Sequence, residues 1–135
     1  MALQYSVTVR NAQLDAIETA VGTSAVLKIR TGSVPATCAT ADSGTVLATL
    51  SLPSDWMAAA SSGSKAKSGT WEDTSADATG TAAHWRLYAS DGTTCHAQGT
   101  VTATGGGGDM TVDNTSFASG QSFTVTAFTI TAGNA

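Results

Sequence analysis

The chain has 135 residues, which points to one domain, and only 12% of them are charged, about half the share of an average globular protein. Six Lys and Arg stand against ten Asp and Glu for a net charge of −4, and the basic residues are scattered, which argues against a nucleic-acid partner. No apolar run approaches the ~18 residues of a membrane span, and Met1 to Ser6 lacks the basic and apolar regions of a signal peptide, so the protein is expected to fold in the cytoplasm.

Leu3-Gln4-Tyr5-Ser6-Val7-Thr8-Val9 alternates as a strand would, with Leu3, Tyr5, Val7 and Val9 on one side. The period then changes. Leu14, Ile17 and Val21 recur at helical spacing, Asn11 is suited to cap the start and Gly22 to end it. This short amphipathic helix has to pack on something, either its own sheet or a neighbouring subunit. Residues 1–22 are therefore expected to form an anchoring or oligomerising segment, and residues 23–135 a β domain. The alternative is that the first strand folds back into the core.

Ala25 to Arg30 reads as a strand with Leu27 and Ile29 inward and Lys28 and Arg30 outward, followed by a loop from Thr31 to Ser43. Gly44 to Leu52 is the next strand, closed by Pro53, and Ser54 to Ala60 fits one helical turn. Ser61 to Ser68 reads as a flexible connection and Ser68 to Asp73 as a short strand. An acidic loop from Asp73 to Thr81 leads to a strand from Ala82 to Ala89. Asp91-Gly92 is a strong hairpin turn, and Thr94 to Ala103 returns as its partner. Gly105 to Gly108 reads as a mobile hairpin tip, Asp109 to Asp113 as a short strand and Phe117 to Gln121 as a turn. The final stretch from Ser122 to Thr131 puts apolar groups on both faces, as in a strand covered on two sides. About eight strands, frequent turns and one early helix predict an all-β fold: an antiparallel two-sheet sandwich, jelly-roll-like or Ig-like.

The sequence holds little assembled chemistry. His84, Cys95, His96 and Cys38 could supply zinc ligands, but adjacent strand residues point to opposite faces and no C-x-x-C pair is present. Asp73, Asp77 and Asp91 lack the spacing of a calcium loop. No G-x-S-x-G elbow occurs, and the glycine run has no Lys-Ser or Lys-Thr after it. No cofactor and no catalysis are expected, and both cysteines are expected as thiols, with a disulfide open if the protein leaves the cell. Trp rings serve in cores, at protein interfaces or stacked on sugars. Trp85, beside Leu87 on its strand face, belongs in the core, whereas Trp56, after Pro53, is the best candidate for an external contact. The candidate interface set is Leu3, Tyr5, Val7, Leu14, Ile17, Val21 and Trp56.

Six stretches, in three pairs, carry a resemblance. They are Leu14-Asp15-Ala16-Ile17-Glu18 with Val26-Leu27-Lys28-Ile29-Arg30-Thr31-Gly32; Leu52-Pro53-Ser54-Asp55-Trp56-Met57 with Lys65-Ala66-Lys67-Ser68-Gly69-Thr70-Trp71; and Asp109-Met110-Thr111-Val112-Asp113-Asn114 with Ser122-Phe123-Thr124-Val125-Thr126. Together the chain resembles a group of small virion proteins of tailed bacteriophages, found among head and tail genes. The resemblance implies a structural virion component and carries over no functional residue. A capsid decoration protein that bridges capsomers as a homo-oligomer is the expectation. A tail or neck component, or a carbohydrate-binding adhesin domain, is the alternative. Expected partners are phage capsid or tail proteins.

Overall fold

The structure is a computed structural model that describes residues 2–135. It is mostly β, with one helix among the described residues. The elements are α1 (Val7–Val21), β1 (Val26–Arg30), β2 (Val46–Ser51), β3 (Ser64–Ala66), β4 (Glu72–Asp73), β5 (Gly80–Thr81), β6 (His84–Tyr88), β7 (Cys95–Ala103), β8 (Met110–Val112), β9 (Ser116–Phe117) and β10 (Phe123–Thr131). A curled eight-stranded sheet runs β2-β1-β6-β7-β8-β10-β3, with β4 also on β10, and β5 pairs with β9 in a small second sheet.

The helix starts earlier than its apolar spacing suggests. Ser6 is the N-cap and its side chain accepts from Val9 N at 3.2 Å, so Val7, Thr8 and Val9 are helical rather than extended. The cap satisfies a backbone donor that a lone N-terminal strand would leave without a ladder, and it overrides the weak β preference of the β-branched residues. Asn11, expected as the cap, lies inside the helix and accepts from Gly63 N at 2.9 Å. Gly22 ends the helix as expected, at φ 88°, with its N–H on Glu18 O at 2.9 Å.

β1 and β6 run antiparallel with Leu27 opposite Leu87 and Ile29 opposite Trp85. Ala48 and Leu50 of β2 continue this apolar face on one side, and Ala97 and Gly99 of β7 continue it on the other. Side chains such as Leu27, Ile29, Leu47 and Leu50 are fully buried there, each contributing roughly 1.5–3 kcal/mol. Aromatic rings join this face to the opposite half of the curl: Trp85 meets Phe128 edge-on at 5.2 Å between centroids, and Trp71 lies 5.6 Å from Phe128 and 6.1 Å from Trp56.

The pairs are antiparallel except β7 with β8, which is parallel. The glycine run explains this departure. Gly105 to Gly108 does not project as a tip between two antiparallel arms but doubles back along β7. Gly108 N donates to Thr102 Oγ1 at 3.0 Å. A Cβ at Gly106 or Gly108 would come within 3 Å of the Thr102 side chain. Only bare backbone fits that close, and the short return sets Met110 beside Val101 in the same direction.

β10 is also reinterpreted. A bulge between Val125 and Ala127 shifts its phase by one residue, so Val125 and Phe128 both reach the core. The apolar residues that sequence alternation assigns to opposite faces thus serve one face. Elsewhere, Ser54 to Ala60 is not helical; Met57 instead bridges Lys67. The connection expected from Ser61 to Ser68 contains β3, and residues expected in the turn at Phe117 and the acidic loop at Gly80 pair as β5 and β9.

Candidate interaction surface

The N-terminal end is the most exposed apolar part of the body. Leu3 is 66% exposed, Val7 48% and Val9 43%, and among the described residues these are the large hydrophobic side chains left open to solvent. Tyr5 N donates to Asn134 O at 2.6 Å, which lays this arm against the other end of the chain.

Behind the exposed residues α1 is firmly held. Lys65 of β3 is buried and reaches Asp15 at 2.7 Å and Glu18 at 2.8 Å. Asp15 also accepts from Ala60 N at 3.1 Å. The hydrogen bond from Lys65 holds the Asp15 carboxyl below its ordinary value. Burial disfavours the Lys65 cation, but the bonds to Asp15 and Glu18 outweigh it and the ammonium is held above its ordinary value. Leu14 and Val21 are buried beneath the helix, and Ile17 is partly buried.

The sequence-derived set therefore divides. Leu3 and Val7 are presented outward, Tyr5 is half-buried, Ile17 lines a cavity, and Leu14 and Val21 face the core. Trp56 needs correction as an external contact. It is completely buried, its indole Nε1 donates to Gly22 O at 3.0 Å, and its ring packs against Trp71. The segment after Pro53 turns inward because this indole has both an apolar slot and a carbonyl partner at the helix end. Trp71 and Trp85 are buried too, so no Trp presents a ring face for stacking on a sugar.

Sequence reasoning missed the second face of β1 and β6. Arg30, His84, Arg86 and Tyr88 are buried there under the loop that follows β1, although Arg30 alternates as an outward residue. Arg86 donates to the carbonyls of Thr37 (3.2 Å), Cys38 (2.8 Å) and Thr40 (3.1 Å) and to Asp42 Oδ1. Asp42 also accepts from Arg30 at 2.9 Å and from Tyr88 Oη at 2.7 Å. Burial works against the Asp42 anion, but the bonds from Tyr88 and Arg86 and the two guanidinium charges outweigh it and hold the carboxyl below its ordinary value. Burial and the bond to Asp42 push the Tyr88 hydroxyl up to about 12. His84 Nδ1 meets Gly32 O at 2.8 Å, and Gln98 Nε2 donates to Pro35 O at 2.6 Å. A loop with few apolar residues is thus tied down by polar bonds. The available sequence signal was the concentration of Lys28, Arg30 and Arg86 on neighbouring strands with one Asp in the intervening loop.

A cavity of about 550 Å³ opens before the start of β8, between β7 and β10. Trp85, Leu87, Phe128 and Ile130 line its apolar part, Ile17 of α1 lines it too, and His96 and Asp109 contribute polar groups. Asp109 is already engaged by Thr100 N (3.0 Å) and Thr100 Oγ1 (3.1 Å). Three other carboxylates are similarly used: Asp73 and Asp77 both bind Thr49, and Asp91 caps its own turn through Thr93 and Thr94. Those bonds, the Thr94 hydroxyl first, bring Asp91 down to about 2.

Comparison of the chain with protein-family models, with curated proteins and with solved structures returns no match.

Proposed function

We propose that this chain is a structural part of a tailed-phage virion: a capsid decoration protein that sits on the outside of the head and holds neighbouring capsomers together. The observation that carries this reading is that, among the described residues, the exposed large apolar side chains are Leu3, Val7 and Val9, on a weakly charged body whose loop carboxylates Asp73, Asp77, Asp91 and Asp109 are engaged in internal bonds. Covering a half-exposed Leu or Val contributes roughly 1 kcal/mol. That is small per copy, but many copies on a lattice multiply it. Residues 1–22 act as the anchoring segment, and contacts between copies or with capsid proteins bury it. In this reading the curled sheet serves as a two-layer sandwich, jelly-roll-like or Ig-like, stiff enough to bridge two subunits without bending. The protein works by contact rather than catalysis and needs no cofactor.

The test is sedimentation with purified phage heads that lack the chain. The wild-type protein is expected to bind in many copies and to raise the temperature at which heads release DNA. The double variant Leu3→Ser/Val7→Ser is expected to keep its circular dichroism spectrum and to bind about tenfold more weakly. A few copies located at one vertex would replace this reading with a tail or neck component. Absence from particles, or binding to glycans by the isolated chain, would end it.

A further inference from the structure

Cys38 and Cys95 lie 57 positions apart in sequence, yet the polar clamp fastens the loop that carries Cys38 to β6 and to β7, the strand that carries Cys95. Cys95 is registered opposite Tyr88 at the bulged end of the β6–β7 ladder. Cys38 lies in the turn from Thr37 to Thr40, whose carbonyls are gripped by Arg86 of β6, the Cys38 carbonyl itself at 2.8 Å. Pro35 of the same loop is tied to Gln98 of β7 at 2.6 Å. The loop is therefore fastened to β6 and β7 on both sides of Cys38. The two thiols are free and half-buried, Cys95 Sγ donates to Ala97 O at 3.4 Å, and Cys95 pairs with Tyr88, two residues along β6 from the Arg86 that holds the Cys38 carbonyl.

From this juxtaposition we infer that Cys38 and Cys95 are the two halves of an intramolecular disulfide, closed when the folded chain meets an oxidising thiol–disulfide environment. The chemistry balances with a small-molecule disulfide such as oxidised glutathione as oxidant. One cysteine thiolate attacks a sulfur of the oxidant and expels one glutathione thiolate, leaving a mixed disulfide. The second cysteine thiolate attacks the protein sulfur of that mixed disulfide and expels the other glutathione. The two cysteine sulfurs are oxidised, one oxidant is reduced to two thiols, and the two cysteine protons end on the released glutathiones. Burial, followed by the contact with Cys38, pushes the Cys95 thiol up, so the reaction is slow near neutrality and accelerates as the solution is made alkaline.

The bridge would staple the loop over the polar face of β1 and β6 and close a long segment of chain. It does not depend on the virion reading, because it concerns only the folded chain and an oxidant. Closing a loop of this length raises the thermal midpoint by about 10–15 °C.

The test uses the wild-type chain, purified reduced and then held with oxidised glutathione at mildly alkaline pH. The expected result is loss of both alkylatable thiols, an intact mass lower by two hydrogens, a linked peptide pair containing Cys38 and Cys95, an unchanged monomer size and the higher midpoint. Reduction with dithiothreitol should reverse all of these. Thiols that stay alkylatable in the folded protein would overturn the inference. So would glutathione adducts without closure, or disulfide-linked dimers in place of the internal bridge. Cys38→Ser and Cys95→Ser each leave one thiol and should lose the gain in midpoint.

Discussion

Replacing Asp42 by Asn tests whether the loop after β1 is held by electrostatics. The substitution keeps the size and planarity of the side chain but removes the charge that faces Arg30 and Arg86, both of them buried. Truncating one partner of a buried ion pair typically costs about 3–5 kcal/mol. Two features lower the figure here: the Asp42 side chain is 38% exposed, and Arg86 keeps three carbonyl partners in the loop. The expected loss is therefore about 2–3 kcal/mol, or roughly 6–12 °C in midpoint for a domain of this size. The pH dependence supplies a second readout. The Asp42 carboxyl is held below its ordinary value of 3.8, so its contribution is present above that value and is lost as the pH falls through the lower folded value. Urea denaturation of the reduced protein at pH 7 and pH 3 should show a large difference between wild type and Asp42→Asn at the higher pH and a smaller one at the lower. The exposed Asp55→Asn is the control, expected to change stability by less than about 0.5 kcal/mol. A loss below about 1 kcal/mol for Asp42→Asn at pH 7, or a gap that does not narrow in acid, would refute the clamp as the source of order in this loop.

Trp56→Ala should cost about 3–5 kcal/mol in urea denaturation, because it opens a cavity beside Trp71 and leaves the Gly22 carbonyl without its indole donor. A surface role for Trp56 would instead leave stability within about 0.5 kcal/mol. Lys65→Met should cost about 1–2 kcal/mol at pH 7, since Asp15 and Glu18 keep partial access to water after the cation is gone. The Lys65 ammonium is held above 10.5, so its contribution is complete below that value and is lost as the pH rises through the higher folded value. The gap between wild type and Lys65→Met should accordingly close in strong alkali, and a constant gap would mean that packing rather than charge docks α1.

Much of the fold was legible from periodicity and turn chemistry. Leu27 and Ile29 alternate with polar neighbours, Leu14, Ile17 and Val21 recur at helical spacing, and Asp91-Gly92 joins two strand-like runs. The corresponding strands, helix and hairpin are all present. These signals are local, so they survive without knowledge of what packs where. The exposure of Leu3 and Val7 was legible only as an apolar N-terminal segment, because an alternating heptapeptide has the same pattern whether it joins a sheet or enters a helix.

Composition and spacing by themselves determined a weakly charged, β-rich chain with one amphipathic helix near its beginning. Tertiary structure decided which polar residues are interior and which aromatic is hidden. Arg30 and Arg86 are buried because the loop after β1 folds back across their face and brings Asp42 to both and three carbonyls to Arg86. Trp56 is buried because the end of α1 offers its indole an acceptor. The bulge in β10 and the parallel return of β8 likewise depend on which backbone groups pair, which alternation does not specify. Hydrophobic period is a property of neighbours in sequence, whereas the cost of burying a charge or an N–H depends on the groups that the fold delivers to it.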